Sequence, residues 1–308
     1  MCSSDGRKYR EFKPSLAPRY WRAWVQIALG YLAMTLVGLG LCALLPMPWW
    51  GALLAASVGG VVIGYSMAFV NLFFHEAAHH NLAKNRARND LLANLFIGLP
   101  IGATIQNYRP IHFGHHRHHG TPMDTERSYF DPLNTRFLVE SLFGIRTIRA
   151  IAYRSALEEK PATSKMPSKV GSVMIVGGVF FNLLIVTTLF WQDLWPLAVA
   201  WVGGVFVVFP FLAALRQVLE HRDEHASADV NYREVSHGRI NRLFGDGPLS
   251  TTLGGAGFNR HLLHHWEPQV SCTRLKDLEA FLLDTELGDE LRGRQTTYPS
   301  IFARLFSP

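Results

Sequence analysis

Residues 52–80 read ALLAASVGGVVIGYSMAFVNLFFHEAAHH, an uncharged apolar run that passes without a break into a histidine cluster. Ala52 to Phe74 supplies the roughly 20 apolar residues that a helix needs to cross the hydrocarbon of a bilayer. His75 and His79 follow four positions apart, so a continuing helix puts both imidazoles on one face. A membrane span and a pair of metal-type ligands are thus joined end to end, and the rest of the chain reads outward from that junction.

Upstream, Ala23 to Leu45 is a second uncharged run, preceded by a basic lead that contains Arg7, Lys8, Arg10, Lys13, Arg19 and Arg22. It is longer than the apolar region of a signal peptide and no small-residue cleavage site follows it, so it reads as a retained span. Downstream, Val173 to Trp191 and Leu194 to Leu215 form another apolar pair across a tight Gln192-Asp193 connection, while Pro46 to Gly51 marks the first turn. Trp21, Trp24, Trp49, Trp50, Trp191 and Trp195 fall near span ends, where an amphipathic indole prefers to sit. Positions 23–83 and 170–215 contain no Lys or Arg. The positive-inside rule then assigns the basic segments and both termini to the cytoplasmic side of a cell, or inner, membrane.

The expected fold is all-α integral membrane: four transmembrane helices as two hairpins, with a cytosolic helical cap bearing the histidine clusters. One domain spans 1–308, with spans at about 23–45, 52–74, 173–191 and 194–215 and the cap at 75–169 and 216–308. Two segments are weaker. Leu91 to Ile105, broken by Gly98, Pro100 and Gly102, suits a buried or re-entrant segment better than a span. Asn134 to Tyr153 reads as a helix on the inner membrane surface, with Leu138, Leu142, Ile145, Ile148 and Ala152 on one stripe beside Arg136, Arg146, Arg149 and Arg154; an ordinary amphipathic core helix fits the same pattern.

Composition agrees with a membrane class: 48% of the 308 residues are hydrophobic and 18% charged. The net charge of +6 does not point to nucleic acid, because Lys and Arg are partitioned along the chain rather than interleaved with stacking residues. Cys2, Cys42 and Cys272 are scattered, which leaves neither a disulfide framework nor a cysteine-held cluster.

Fourteen histidines lie in or near three clusters and the segment from His221 to His237. Beyond His75 to His80, the sequence HFGHHRHH at 112–119 aligns His112, His115 and His116, and HLLHH at 261–265 aligns His261, His264 and His265. His75, Glu76 and His79 alone form an H-E-x-x-H zinc-protease motif. That reading leaves the other triplets without a purpose, since one zinc takes four ligands and about nine convergent nitrogens suffice for two metals with open positions. A transport site fits less well, because its ligands belong near the midplane and the spans hold no His.

HEAAHH at 75–80, HFGHH at 112–116, RQVLEHR at 216–222 and FNRHLLHHWEP at 258–268 together resemble the membrane fatty acid desaturase and hydroxylase superfamily. The resemblance covers nearly the whole chain. It implies a histidine-box di-iron centre, two non-haem irons that use O2 and two electrons to attack an unactivated C–H bond of an acyl chain. By position it implies nine ligands: His75, His79, His112, His115, His116, His221, His261, His264 and His265. His80 and Gln217 stand as additional or outer-sphere candidates, and Glu76, Asp124, Glu126, Glu220 and Asn259 as candidate acceptors that fix imidazole tautomers, a solvated or capping role fitting each of these equally well. His118, His119, His225 and His237 are surplus to the family pattern.

Desaturation of a fatty acyl or other lipid-like chain is favoured by the resemblance over hydroxylation or a related oxidative tailoring reaction. An intramembrane zinc protease is the reading from another class. No haem-binding segment, flavin or nicotinamide fingerprint, or cysteine cluster is visible, so a separate electron donor of ferredoxin or cytochrome type is implied. Arg86, Arg88, Arg117 and Arg154 offer a basic surface for such a donor or, equally, for anionic lipid.

Overall fold

The structure, a computed structural model, describes residues 1–40, 48–126, 129, 131, 133–156, 169–223, 225, 227, 229–232, 234–236, 238 and 240–306. In chain order the main helices are α1 (Tyr20–Leu39), α2 (Trp49–Ala78), α3 (Arg86–Ala93) and α4 (Ile105–His118). They continue with α5 (Thr135–Leu142), α6 (Ile145–Ala156), α7 (Lys169–Trp191) and α8 (Trp195–His221). The chain closes with α9 (His261–Trp266), α10 (Leu275–Leu283) and α11 (Tyr298–Phe306). A parallel pair joins β1 (Leu243–Phe244) to β2 (Gln295–Thr296), an addition to the all-helical expectation.

Four helices, α1, α2, α7 and α8, are long and apolar enough to cross a membrane. Their bounds differ from the hydropathy reading in an instructive way. α2 does not stop at Phe74 but runs through His75 to Ala78, and α8 runs past Leu215 to His221. No Pro or Gly interrupts either extension, and α2 ends where Arg109 caps it: Nε donates to Ala78 O at 2.8 Å and Nη2 to Ala77 O at 3.1 Å. The end of the first expected span, together with the first two residues of the Pro46 to Gly51 turn, falls at 41–47, outside the described residues. The Gln192-Asp193 connection is a tight turn with Asp193 at φ 58°.

α2 is the central element and packs against α1 and α8. Contact is close because glycines face across it: a Cβ on Gly204 would lie 2.6 Å from Ile63 Cγ2 and 2.8 Å from Gly60 O. Gly60, Gly64 and Gly204 therefore serve helix approach. One polar node ties α7 to its neighbours: Asn182 Nδ2 donates to Pro100 O at 3.0 Å and Gly178 O at 2.8 Å, and Trp201 Nε1 donates to Asn182 Oδ1 at 3.0 Å.

Leu91 to Ile105 is a wound segment, α3 followed by a π-helical turn Asn94–Gly98 and a short helix Leu99–Ile101 that stops at left-handed Gly102. Ile97 and Gly98 are buried while Leu95 and Phe96 are exposed. The expected single helix over 134–153 is two helices, because the chain breaks at Phe143 and at Gly144, whose φ is 66°. Leu138, Phe143, Ile145, Ile148 and Ile151 remain exposed on that pair. The polar amino-terminal lead folds onto the carboxy-terminal unit, with the Tyr9 hydroxyl and Lys13 Nζ each 2.7 Å from Glu267.

Asn182→Leu removes the acceptor for Trp201 Nε1 and the donor for Pro100 O while keeping bulk. It is expected to destabilise the spanning helices by about 1–2 kcal/mol. The check is thermal unfolding in detergent, and an unchanged midpoint would remove this node from the account of the fold.

Candidate metal centre

His75, His79 and His221 sit at the ends of their helices, whereas His112 lies in the middle of its own. His75 lies in the last turn of α2 and His79 caps it; His112, His115 and His116 lie on α4; His221 ends α8; His261, His264 and His265 lie on α9. Local anchors hold these ends in place. Asn89, fully buried, accepts from Leu82 N at 2.9 Å and donates to Ala77 O at 2.9 Å, which fixes the turn after His79. Arg260 bonds Glu279 Oε2 and Asp246 Oδ1, each at 2.6 Å, and clamps the start of α9. Phe258 then stacks edge-on against His75 with ring centres 4.8 Å apart.

Two groups of ring nitrogens result. His75, His79, His112, His116 and His264 form one, with every ligand atom within 4.8 Å of the others. Nε2 of His112 lies 2.8 Å from that of His79 and 3.0 Å from that of His116, and Nε2 of His264 lies 3.1 Å from that of His116. His115, His221 and His265 form the second group, and His261 joins it with Nε2 3.0 Å from His221 and 3.1 Å from His265. The groups adjoin, since the rings of His116 and His265 are 4.6 Å apart.

These spacings test whether a metal fits. An octahedral ion with metal–nitrogen bonds of about 2.1 Å holds neighbouring nitrogens about 3.0 Å apart, whereas tetrahedral zinc holds them at about 3.3–3.4 Å. The observed separations of 2.8–3.1 Å match the octahedral edge. The imidazoles are also held neutral, as ligands must be. Burial, reinforced by neighbouring imidazoles, keeps His79, His264 and His265 well below the usual histidine range and takes His116 down to about 2. Donor number, spacing and charge state all suit two ions with coordination positions to spare.

The second ring nitrogens meet acceptors on several of these residues. His115 Nδ1 donates to Asp124 at 2.9 Å, and His221 Nδ1 donates to Asn241 Oδ1 at 3.1 Å. His112 Nδ1 faces Glu126 Oε1 at 3.6 Å and His261 Nδ1 faces Glu220 Oε2 at 3.5 Å. Burial pushes the Asp124 carboxyl up, but His115, His119 and Tyr129 outweigh it and the net shift is downward, which keeps it a charged acceptor.

The remaining sequence candidates are distributed unevenly. Gln217 Nε2 donates to Glu126 O at 2.9 Å and Oε2 at 3.4 Å, so it acts on the carboxylate that faces His112. His80, in the left-handed region at φ 62°, turns its ring to Arg109 and Asp90 and joins neither group. Asn259 donates to Gly245 O and Asp246 Oδ1, at 3.3 and 3.4 Å, on the side of the Arg260 clamp. Glu76 accepts from Ser271 Oγ at 3.0 Å and Cys272 N at 2.9 Å, which ties α2 to the loop beyond α9. Arg86, Arg88 and Arg117 are exposed, while the side chain of Arg154 and the whole of His237 lie outside what is described.

Three participants escaped the sequence reading. His119, set aside as surplus, is buried with its ring 4.6 Å from His221 and 4.7 Å from His265, and it forms a third possible ligand group with His115 and Asp124. Its Nδ1 is 3.1 Å from the Tyr129 hydroxyl and its Nε2 3.1 Å from Ile240 O. The signal was present, because His115 and His119 repeat the four-residue spacing of His112 and His116. Tyr129, whose hydroxyl donates to Asp124, and Asn241 carry no local signal.

Compared with known proteins, residues 52–292 match the model of the family described as fatty acid desaturase. A sn-1 oleoyl-lipid 12-desaturase from Anabaena variabilis is 24% identical over 281 residues, spanning 83% of this chain and 74% of the relative.

Two measurements follow. Purified protein loaded anaerobically with ferrous iron is expected to hold two ions per chain by elemental analysis. His264→Ala and His221→Ala should each lower that count towards one, and His80→Ala should leave it at two. The metal-free chain should also lose stability as pH falls below about 6.5, because unfolded histidines take up protons there while His79, His116, His264 and His265 stay neutral in the fold; above that pH these groups contribute no slope. Unfolding midpoints that stay flat from neutral to mildly acid pH would contradict this.

Proposed function

The chain belongs to the fatty acid desaturase family, and on that premise we propose that it inserts a double bond into a fatty acyl chain at a di-iron centre held by nine histidines. His75, His79, His112, His116 and His264 hold one iron, and His115, His221, His261 and His265 hold the other. The single observation that carries the assignment is the pair of adjoining nitrogen groups with octahedral-edge spacing. The iron pair supplies an oxidant for an unactivated C–H bond, a task beyond any side chain. In the overall balance two hydrogens leave adjacent carbons of the acyl chain. O2 is reduced to two waters by those two hydrogens with two further electrons and two protons, the electrons coming from a separate ferredoxin- or cytochrome-type donor.

The chain's own residues orient and insulate. Asp124 and Asn241 accept from ring nitrogens and fix which nitrogen of those imidazoles is free to ligate, and Glu126 and Glu220 stand 3.6 and 3.5 Å from the ring nitrogens of His112 and His261. Phe258, His264 and Leu263 are fully buried and keep bulk water from that side of the centre. The membrane arrangement fits a lipid substrate. In it the four spans form two hairpins in the inner membrane, and residues 75–169 and 216–308 form a cap on the cytoplasmic side. Two facts support this: the absence of Lys and Arg from positions 23–83 and 170–215, and the position of all nine histidines at or beyond the ends of α2 and α8. The whole chain, 1–308, acts as one domain.

The H-E-x-x-H protease reading is disfavoured by Glu76, whose carboxylate accepts from Ser271 and Cys272 where a general base would have to face a metal-bound water. The test is lipid mass spectrometry of a host expressing the protein against one expressing His264→Ala. Species lighter by two hydrogens, absent with the variant, are expected. Species heavier by one oxygen would instead make the enzyme a hydroxylase of the same family, and an unchanged lipid profile with a donor supplied would remove the acyl-chain assignment.

A further inference from the structure

The family match ends at residue 292, yet the chain continues and folds back towards the metal-facing end of α8. β2 pairs with β1 in the register Leu243 to Gln295 and Phe244 to Thr296. Tyr298, at the start of α11, then stacks on Phe244 with ring centres 3.7 Å apart and planes within 9°. Its hydroxyl donates to Glu220 Oε1 at 3.1 Å. The same oxygen accepts from Arg216 Nε at 2.6 Å, and the other oxygen of Glu220 lies 3.5 Å from His261 Nδ1.

We propose that Gln295–Phe306 is a strap that positions the second metal site: Tyr298 pins Glu220, and Glu220 orients His261. The inference rests on the reading that His115, His221, His261 and His265 hold a metal. An imidazole that ligates through Nε2 carries its proton on Nδ1, and a buried N–H needs an acceptor. His261 Nδ1 makes no hydrogen bond among the described residues, and Glu220 Oε2, 3.5 Å away, is placed to become its acceptor only if the carboxylate keeps one rotation. Arg216 alone, four residues back on the same helix, bonds either oxygen equally well. Two donors converging on Oε1 leave the lone pairs of Oε2 for His261. The hydroxyl is the specific element, because a phenylalanine at 298 would stack on Phe244 and fill the core as well. The rest of the strap holds the ring in place, through buried Ile301 and through Phe306, whose ring lies 6.3 Å from that of Phe137 on α5.

The experiment compares the full-length protein in detergent with Tyr298→Phe, Glu220→Gln and the double variant. Each is loaded anaerobically with ferrous iron and titrated with a chelator, and the irons are read by Mössbauer spectroscopy. Wild type is expected to hold two ions. Tyr298→Phe should leave the metal-free form folded, with a melting temperature lower by a few degrees at most, keep the affinity of one ion, weaken the other about tenfold or more, and alter one of two spectral components. Glu220→Gln should weaken the same ion, and the double variant should lose little beyond the larger single effect, the non-additivity expected of residues acting in series. Tyr298→Phe that retains both ions as wild type does, weakens both alike, or adds independently to Glu220→Gln overturns the strap while leaving the di-iron reading intact. A wild type that holds fewer than two ions overturns that reading and the strap with it.

Discussion

Everything in this fold answers to one constraint, the burial of neutral imidazole nitrogens pointing at one another about 3 Å apart. A buried polar atom without a partner costs free energy, and several convergent lone pairs repel as well. Such a cluster persists because the surrounding helices over-determine it, and a cation at its centre would turn the arrangement from costly to favourable.

The way the helices end is the clearest case. Both α2 and α8 present histidines from their carboxy-terminal turns, where the last carbonyls lack helical partners and the dipole is negative. Each end is met by an arginine from another segment. Arg109, paired to Asp90, donates to the carbonyls of Ala77 and Ala78, and Arg242 donates to Leu219 O at 2.9 Å and to Arg222 O. These caps satisfy orphaned carbonyls and fix the angle at which His75, His79 and His221 project. Neither arginine faces a ligand nitrogen of the two groups, so their part in the site is positional.

The spanning helices contribute in another way. α2 is gripped at Gly60, Ile63 and Gly64 by the turn of α8 around Gly204, where Pro210 removes an N–H and the helix widens into a π-turn over Gly204–Val208. That grip sets the register between α2 and α8, hence the distance between His75 and His221 at their ends. Asn182 does the same for α7 through Trp201 and Pro100. Packing far from the histidine cluster thus determines which imidazoles meet.

Hydropathy and histidine spacing are local properties of a chain, so the sequence by itself determined the four apolar helices, the helical faces that carry His75 and His79, His112 and His116, and His261 and His265, and the family. What it missed are relations between segments. Span ends moved by several residues because capping by Arg109 is a tertiary contact. His80 and His119 exchanged standing because a left-handed backbone turns one ring aside and the spacing of His115 and His119 turns the other inward. The division of the histidines into five and four, and the reach of Tyr298 to Glu220, were decided only in three dimensions. His116 and His264, with Nε2 atoms 3.1 Å apart, are separated by 148 positions, and no periodicity within either helix encodes that distance.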